Sequence, residues 1–232
     1  MERSAAGERG QVVVAAVLAV VLAGLAWEAL VTAWAATRDR LVVQNSLDAG
    51  VTTGAAVLAD GLNTLAIINR ALLALGITAM LGRGEYAYWA AQLQRAQDEV
   101  IRRTPALAKQ AAWGTAVGLG AQGVRFPPGA GGQWPSLMVR RVYLLPWLLG
   151  SQFPLWIADD LHPVRDRRWG NRVVYLEGWR LNRRGAGQLP FRARAGAAAS
   201  RRGGGRSSWP LLATDFDSRL IPFGGEEGAG HR

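Results

Sequence analysis

The residues best suited to bind a metal form one short acidic segment in the second half of the chain. Asp159, Asp160 and His162 lie close together, and Asp166 follows them. Carboxylates and imidazoles that converge on one point can bind a divalent cation. The same groups can instead form ion pairs with the arginines that follow, which is the interpretation we favour. We therefore expect no metal site and no cofactor.

Other sequence patterns for catalysis or nucleic-acid binding are absent or weak. The chain has no cysteine, which excludes disulfide bonds, thiolate catalysis and cysteine-bound metals. It has no glycine-rich turn with phosphate-binding spacing and no Gly-x-Ser-x-Gly sequence. Residues 201–206 (RRGGGR) resemble a single copy of an arginine-glycine sequence that binds nucleic acid. We expect no nucleic-acid partner, and an enzyme with an unrecognised site is the least favoured alternative.

Positive charge is concentrated in the second half of the chain. The net charge is +10; residues 1–120 carry 10 basic and 9 acidic side chains, whereas residues 121–232 carry 17 and 8. This asymmetry is compatible with contact to anionic lipid or nucleic acid. However, Lys109 is the only lysine, and such a preference for arginine indicates a compositional bias. A solvated basic face is therefore the interpretation we favour.

An apolar segment near the amino terminus, residues 12–36, contains a single ionisable side chain, Glu28. Its helical length is about 37 Å, enough to cross a hydrocarbon core of roughly 30 Å. Trp27 and Trp34 lie where an interfacial aromatic belt would be. We predict a retained single-pass anchor with membrane lipid as a partner. The alternatives are a buried core helix and a signal peptide cleaved near residues 33–35, which would release a secreted or periplasmic binding module. Arginines are equally frequent on both sides, so charge leaves the orientation open.

The next segment, residues 41–81, is predicted to be a stalk helix. Gly54 and Gly61 would allow another helix to approach closely. Asn63 and Asn69 interrupt an otherwise apolar region, and we expect them to form hydrogen bonds at a helix–helix contact. Apolar and small residues recur at spacings of three and four along one face: Leu47, Val51, Gly54, Leu58, Leu62, Leu65, Asn69, Leu72 and Gly76.

The predicted fold class is α+β, with a long amino-terminal transmembrane and stalk helix, further helices, and then a small antiparallel sheet. Within the helical section, Thr104-Pro105 is expected to separate two helices, with Thr104 as the amino-terminal cap. The predicted divisions are a polar, disordered tail (1–11), a transmembrane helix (12–36), a stalk helix (41–81), a helical section (82–120), a linker rich in Gly and Pro (121–135), a β-rich domain (136–223) and a disordered tail (224–232).

Period-two alternation predicts the sheet. A first strand is expected within Leu137–Leu145. We expect the second and third strands to form an antiparallel pair with one face buried. In the second strand, one face carries Val173, Tyr175, Trp179 and Leu181. In the third, one face carries Leu189, Phe191, Ala193, Ala195 and Ala197, with Arg192 and Arg194 opposite.

Polar residues recur at defined offsets after the apolar segment. They lie in residues 41–49 (LVVQNSLDA) and residues 62–71 (LNTLAIINRA), and they are Gln44, Asn45, Asp48, Asn63, Asn69 and Arg70. Together with the Arg-Gly-Gln sequence before the apolar segment, this pattern resembles the TadE/TadG-like membrane proteins of Tad (tight adherence, Flp) pilus assembly. The match covers under a third of the chain. Near the carboxyl end, Pro210, Arg219 and Pro222 are similar to a Pro-x-Leu…Arg-Leu-x-Pro ending of some of these proteins.

The resemblance implies an amino terminus in the cytoplasm and most of the chain outside the bacterial inner membrane. It implies a structural or assembly role without catalysis, with other pilus-assembly or envelope proteins and further copies of the chain as partners. A processed pilin would carry Glu five residues after a cut at Arg9-Gly10, where this chain has Ala15, so we expect an uncleaved anchor. Glu28, Asn63 and Asn69 are the candidate polar contacts for helix association.

Overall fold

The computed structural model describes residues 3–80, 86–126, 139–143, 154–158, 173–180, 191–201 and 214–221. A long helix is followed by a second helix and a small antiparallel sheet, which confirms the predicted α+β class. The elements are α1 (Arg3–Met80), α2 (Tyr86–Gly118), β1 (Gln122–Arg125), β2 (Val139–Tyr143), β3 (Pro154–Ala158), β4 (Val173–Arg180), β5 (Phe191–Arg201) and β6 (Phe216–Ile221).

Helix α1 is one uninterrupted helix of 78 residues, with a length of about 117 Å. It joins the predicted membrane segment to the predicted stalk through Arg38–Arg40 without a break. The sequence has neither glycine nor proline between Gly24 and Gly50, so nothing there disfavours helix strongly. The helix also includes residues 3–10, which were expected to be disordered.

Helix α2 is also continuous, so the predicted division at Thr104-Pro105 is wrong. Pro105 has no N–H to donate to the carbonyl of Ile101, and such a proline costs a helix about 3 kcal/mol. Packing against α1 offsets this cost, because Thr104 is buried and lies directly against Gly61 of α1. The cap motif was therefore a misleading local signal that a tertiary contact overrides.

Four strands form one antiparallel sheet in the order β1-β4-β5-β6, and β2 and β3 form a separate antiparallel pair. The predicted pairing of the second and third strands is confirmed as β4 with β5, and β2 lies within the predicted first strand. Strands β1, β3 and β6 were not predicted. Strand β1 has only four residues and includes Gly123 in the left-handed region at φ 54°, so it has too few positions to show an alternation.

The second half of α1 lies at the centre of the folded part of the chain. We call this folded part the body; it consists of residues 39–80 of α1, helix α2 and the strands that pack on them. All nine residues of the predicted stripe from Leu47 to Gly76 are buried. Helix α2 and one face of the sheet cover them. The strand residues in this core are Val174, Leu176, Ala195, Ala197, Ala199 and Phe216. The stripe thus packs within its own chain, and α1 is both the anchor-like segment and the core helix.

The buried face of β4 differs from the prediction. Val174, Leu176 and Gly178 are buried, whereas Tyr175 and Trp179 lie on the opposite face and are half-buried. The core is narrow at this point, because a Cβ on Gly178 would lie 3.0 Å from Cδ2 of Leu47, a residue of α1. The large aromatic rings are therefore accommodated on the outer face. The predicted buried face of β5 is correct at Ala195 and Ala197.

Small residues bring α1 and α2 into close contact. A Cβ on Gly50 would lie 2.7 Å from the carbonyl oxygen of Ala112, and a Cβ on Gly54 would lie 2.8 Å from Cβ of Ala112. The facing residues of α2 are small and buried at every fourth position: Thr104, Ala108, Ala112 and Ala116. The two helix backbones can approach this closely only because the glycines have no side chain.

We predict that Gly50→Ala destabilises the body by about 1–3 kcal/mol, because the new methyl group meets a backbone carbonyl that cannot move independently. The matched control is Gly114→Ala on α2, where a Cβ would have no neighbour within 4 Å. This substitution should raise the free energy of unfolding by about 0.5–1 kcal/mol, through helix propensity alone. Chemical unfolding of the full chain in detergent, followed by circular dichroism, measures both. Equal effects from the two substitutions would contradict the close contact.

Candidate functional site

The first half of α1 is the most distinctive surface of the molecule. Every residue from Val12 to Leu30 is exposed, and no part of its most apolar window is buried. Among the described residues, α1 is the one helix that is long and apolar enough to cross a membrane. Counting from Val12, Val31 is the first half-buried residue and Val43 is the first that is fully buried. The transition from exposed to buried therefore takes place within about 18 Å of helix.

Aromatic and charged residues mark the end of this exposed segment. Trp27 and Trp34 are both exposed, and the guanidinium of Arg38 lies 5.6 Å from the ring centroid of Trp34. Tryptophan and arginine are typical of the boundary between hydrocarbon and water. Glu28 is exposed one turn before Thr32, whose hydroxyl donates a hydrogen bond of 2.8 Å to the Glu28 carbonyl. The structure thus leaves the side chain of Glu28 on the surface of the helix.

The body begins immediately after this boundary. Arg180 at the end of β4 forms an ion pair with Asp39 of α1, with Nε and Oδ1 3.6 Å apart. Gln44 then donates from Nε2 to Asp48 Oδ1 at 2.9 Å and to the carbonyl of Arg194 at 3.3 Å. Gln44 of the first motif therefore connects α1 to β5, and Asp48 accepts from the same amide on its own helix. The third polar residue of this motif, Asn45, is exposed.

Asn63 holds the edge of the sheet against α1. Its Nδ2 donates to the carbonyl of Phe216, and its Oδ1 accepts from the N–H of Phe216, both at 3.1 Å. One side-chain amide therefore satisfies both backbone groups of a residue on strand β6. The prediction of a helix–helix contact for Asn63 is wrong, because the partner is a strand.

Asn69 confirms the prediction of a hydrogen bond between helices. Its Oδ1 accepts from Nε2 of Gln97 of α2 at 2.8 Å, and both side chains are buried. Oδ1 thus fixes one register between the two helices in an otherwise apolar contact. Oε1 of Gln97 is buried with no hydrogen-bond partner in the described structure.

The remaining predicted site residues are dispersed. Arg70 on α1 and Arg219 on β6 are exposed, whereas Pro210 and Pro222 lie outside the described residues. The acidic segment from Asp159 to Asp166 and the glycine-rich residues after Arg201 also lie outside them. Within the described ranges, no group of three or more His, Asp or Glu side chains could hold a metal ion.

The exposed face of α2 carries a small cluster of ion pairs. Arg102 and Arg103 both pair with Glu99, and the hydrogen bond from Arg102 lowers the pKa of the Glu99 carboxyl. Ion pairs this exposed contribute little to stability. We assign them to the solvated surface of the helix.

The outer face of the sheet carries one cluster that was not predicted from the sequence. Glu177 of β4 accepts from Arg125 Nη2 at 2.8 Å and from Arg194 Nε at 2.6 Å. Beside it, Trp179 lies opposite Arg192 in the strand register. These side chains surround a depression of about 200 Å³, which we call the arginine pocket. The alternation of Arg192 and Arg194 was visible in the sequence, but their position beside Glu177 depends on strand register.

No protein-family model, curated protein sequence or solved structure matches this chain. The resemblance to TadE/TadG-like proteins therefore stays a prediction from sequence motifs. Three residues of these motifs, Gln44, Asn63 and Asn69, form contacts inside the body. These three residues therefore have structural roles in this chain.

We predict that Asn63→Ala destabilises the body by about 1–3 kcal/mol, because two backbone groups of Phe216 lose their partner. Asn45→Ala is the same change at an exposed position of the same helix, and it should alter the free energy of unfolding by no more than about 0.5 kcal/mol. Chemical unfolding measures the difference, and hydrogen exchange of the Phe216 amide reports the local loss. Unchanged exchange at Phe216 in the Asn63→Ala chain would disprove the assigned contact.

Proposed function

We propose that this chain is a single-pass protein of the bacterial inner membrane with a structural role in assembling a Tad-type pilus or a related envelope apparatus. It acts by association and not by catalysis. The observation that carries the proposal is the division of one continuous helix: exposed from Val12 to Leu30, and central to the body from Val43 onward.

The exposed half of α1 is unfavourable in water. Burying a valine or leucine side chain is worth about 1.5–3 kcal/mol, and this segment presents many of them: Val12, Val13, Val14, Val17, Leu18, Val20, Val21, Leu22, Leu25 and Leu30. A continuous apolar surface of this size is typical of a membrane or protein contact. A helix satisfies its own backbone hydrogen bonds, so lipid can surround it completely.

Association with other proteins is then assigned to the exposed half of α1. The glycines of the second half, Gly50, Gly54 and Gly61, are already covered by the chain's own α2 or β4. A Cβ on Gly24 would have no neighbour within 4 Å, and Glu28 lies one turn further along the same face. A small residue beside a polar one is a favourable combination for contact between helices in a membrane.

The assembly role rests on the motif resemblance, and the sidedness follows from it. The amino-terminal end of α1 would lie in the cytoplasm and the body outside it. The uninterrupted helix supports this arrangement, because it would hold the body at a fixed distance from the membrane. Pilus-assembly or other envelope proteins, and further copies of the chain, are the proposed partners.

We predict that Val21→Arg lowers membrane retention, because an arginine near the centre of a span costs about 2.5–3.5 kcal/mol on insertion scales. Thr64→Arg, an exposed position of α1 within the body, is the matched control and should remain in the carbonate-washed membrane like the original chain. Protease added to spheroplasts should remove a carboxyl-terminal tag. Recovery of a soluble chain starting near Thr37 would instead support the secreted binding module.

We further predict that the double variant Gly24→Leu with Glu28→Leu stays in the membrane but associates less, because it fills one face of the span and removes its polar contact. Ala26→Leu adds volume on the opposite face and serves as the control. Co-purification of two differently tagged copies and the number of surface pili are the measurements. If the double variant and the control behave alike in both, association through this face is excluded.

A further inference from the structure

The arginine pocket lies at the end of the body that is nearest the exposed half of α1. It is lined by residues 177–179 of β4 and 192–194 of β5, together with Gly123 and Arg125. The next residue of β4, Arg180, forms its ion pair with Asp39. Asp39 is three residues beyond Ala36, which is about 5 Å along the helix axis. The lining residues contact α1 slightly further along, because the carbonyl of Arg194 accepts from Gln44, which is about 12 Å beyond Ala36. The pocket therefore lies about 12 Å beyond the level at which the proposed membrane span ends.

The charge of the pocket is strongly positive. The lining includes three arginines and a single carboxylate, Glu177, which gives a formal net charge of +2. The Glu177 side chain is 12% exposed, whereas those of Arg125 and Arg194 are 70% and 57% exposed. A guanidinium has five N–H donors, and Arg125 binds Glu177 through Nε and Nη2, which leaves the two donors on its Nη1. Arg192 is also exposed and is not one of the two arginines that hold Glu177.

These side chains match the chemistry of a phosphate group. Guanidinium groups bind phosphate through two parallel hydrogen bonds. An indole ring such as that of Trp179 is favoured at the membrane–water boundary. The headgroup layer extends roughly 5–7 Å beyond the hydrocarbon on each side. The headgroup layer and the length of an extended arginine side chain together cover most of the distance between the end of the span and the pocket.

We propose that the arginine pocket binds the phosphate of an anionic phospholipid in the leaflet where the membrane-spanning part of α1 ends. This inference rests on the proposed membrane anchoring. Because α1 has no break between the span and the body, the pocket cannot move away from the membrane independently. The bound headgroup gives the body a second attachment beside the helix and restrains its tilt.

The test uses the full chain in a zwitterionic detergent, titrated with short-chain phosphatidylglycerol or phosphatidylcholine and followed by native mass spectrometry. Phosphatidylglycerol should bind more tightly. Arg192→Gln should weaken that binding about fivefold, the usual effect of one basic residue near an anionic surface. Arg192→Lys keeps the charge and loses the planar fork. Its affinity for phosphatidylglycerol should lie between those of the original chain and of Arg192→Gln.

Arg102→Gln is the matched control, since it removes one exposed arginine far from the pocket. It lies on α2 two residues from Thr104, which contacts Gly61, and Gly61 is about 37 Å beyond Ala36 along the helix. Equal affinity for the two lipids, or an equal loss in the control, would overturn the proposal. Competition by glycerol phosphate as strong as that of the lipid would reassign the pocket to a soluble phosphate compound and would likewise overturn it.

Insertion is measured separately, by carbonate-resistant reconstitution of the same chain into vesicles. If α1 does not insert, the membrane anchoring itself fails, and this inference fails with it. If α1 inserts and phosphatidylglycerol shows no preference for the pocket, the anchoring stands and only the phosphate assignment is wrong. Near-ultraviolet circular dichroism of Arg192→Gln confirms that a loss of binding is not a loss of fold.

Discussion

The body depends on the close approach of α1 and α2 where glycines face small residues. Gly50 and Gly54 lie against Ala112, and Gly61 lies against Thr104. Leu176 of β4 also reaches Gly50, where a Cβ would lie 2.9 Å from its Cδ1. The two helices and the sheet therefore meet at one point, and a larger residue there would separate all three. The bulky core residues contribute area, but the glycines determine how near the elements can come.

The two halves of α1 differ in composition. Up to Leu30 the apolar residues surround the helix on every side, which suits a surrounding of lipid. From Val43 onward the buried residues form a single stripe, and polar residues such as Asp60 are exposed opposite it. Gln44 lies at this change and connects the helix to the carbonyl of Arg194 on β5, while Asp48 accepts a second hydrogen bond from the same amide.

Much of the α1 packing was predictable because it follows a local period. The stripe from Leu47 to Gly76 and the alternation in β5 each repeat often enough to specify a buried face. For strand β4 the prediction was wrong, because its large aromatic residues indicated that the outer face was the buried one. The size of the space beneath the sheet, which Leu47 and Gly178 define, is a tertiary property. Similarly, no pattern within α1 could show that Asn63 binds a residue more than 150 positions later.

The unbroken course of α1 has a consequence for the orientation of the body around the helix axis. An α-helix turns by about 100° and rises by about 1.5 Å with each residue. The side of the body that carries the sheet is therefore fixed relative to the face of the span that carries Gly24 and Glu28. The number of residues between Glu28 and the first contacts with the sheet determines the angle between these two sides of the helix. In an assembly of several such chains, contacts between the exposed halves of α1 would also decide which surfaces of neighbouring bodies face one another.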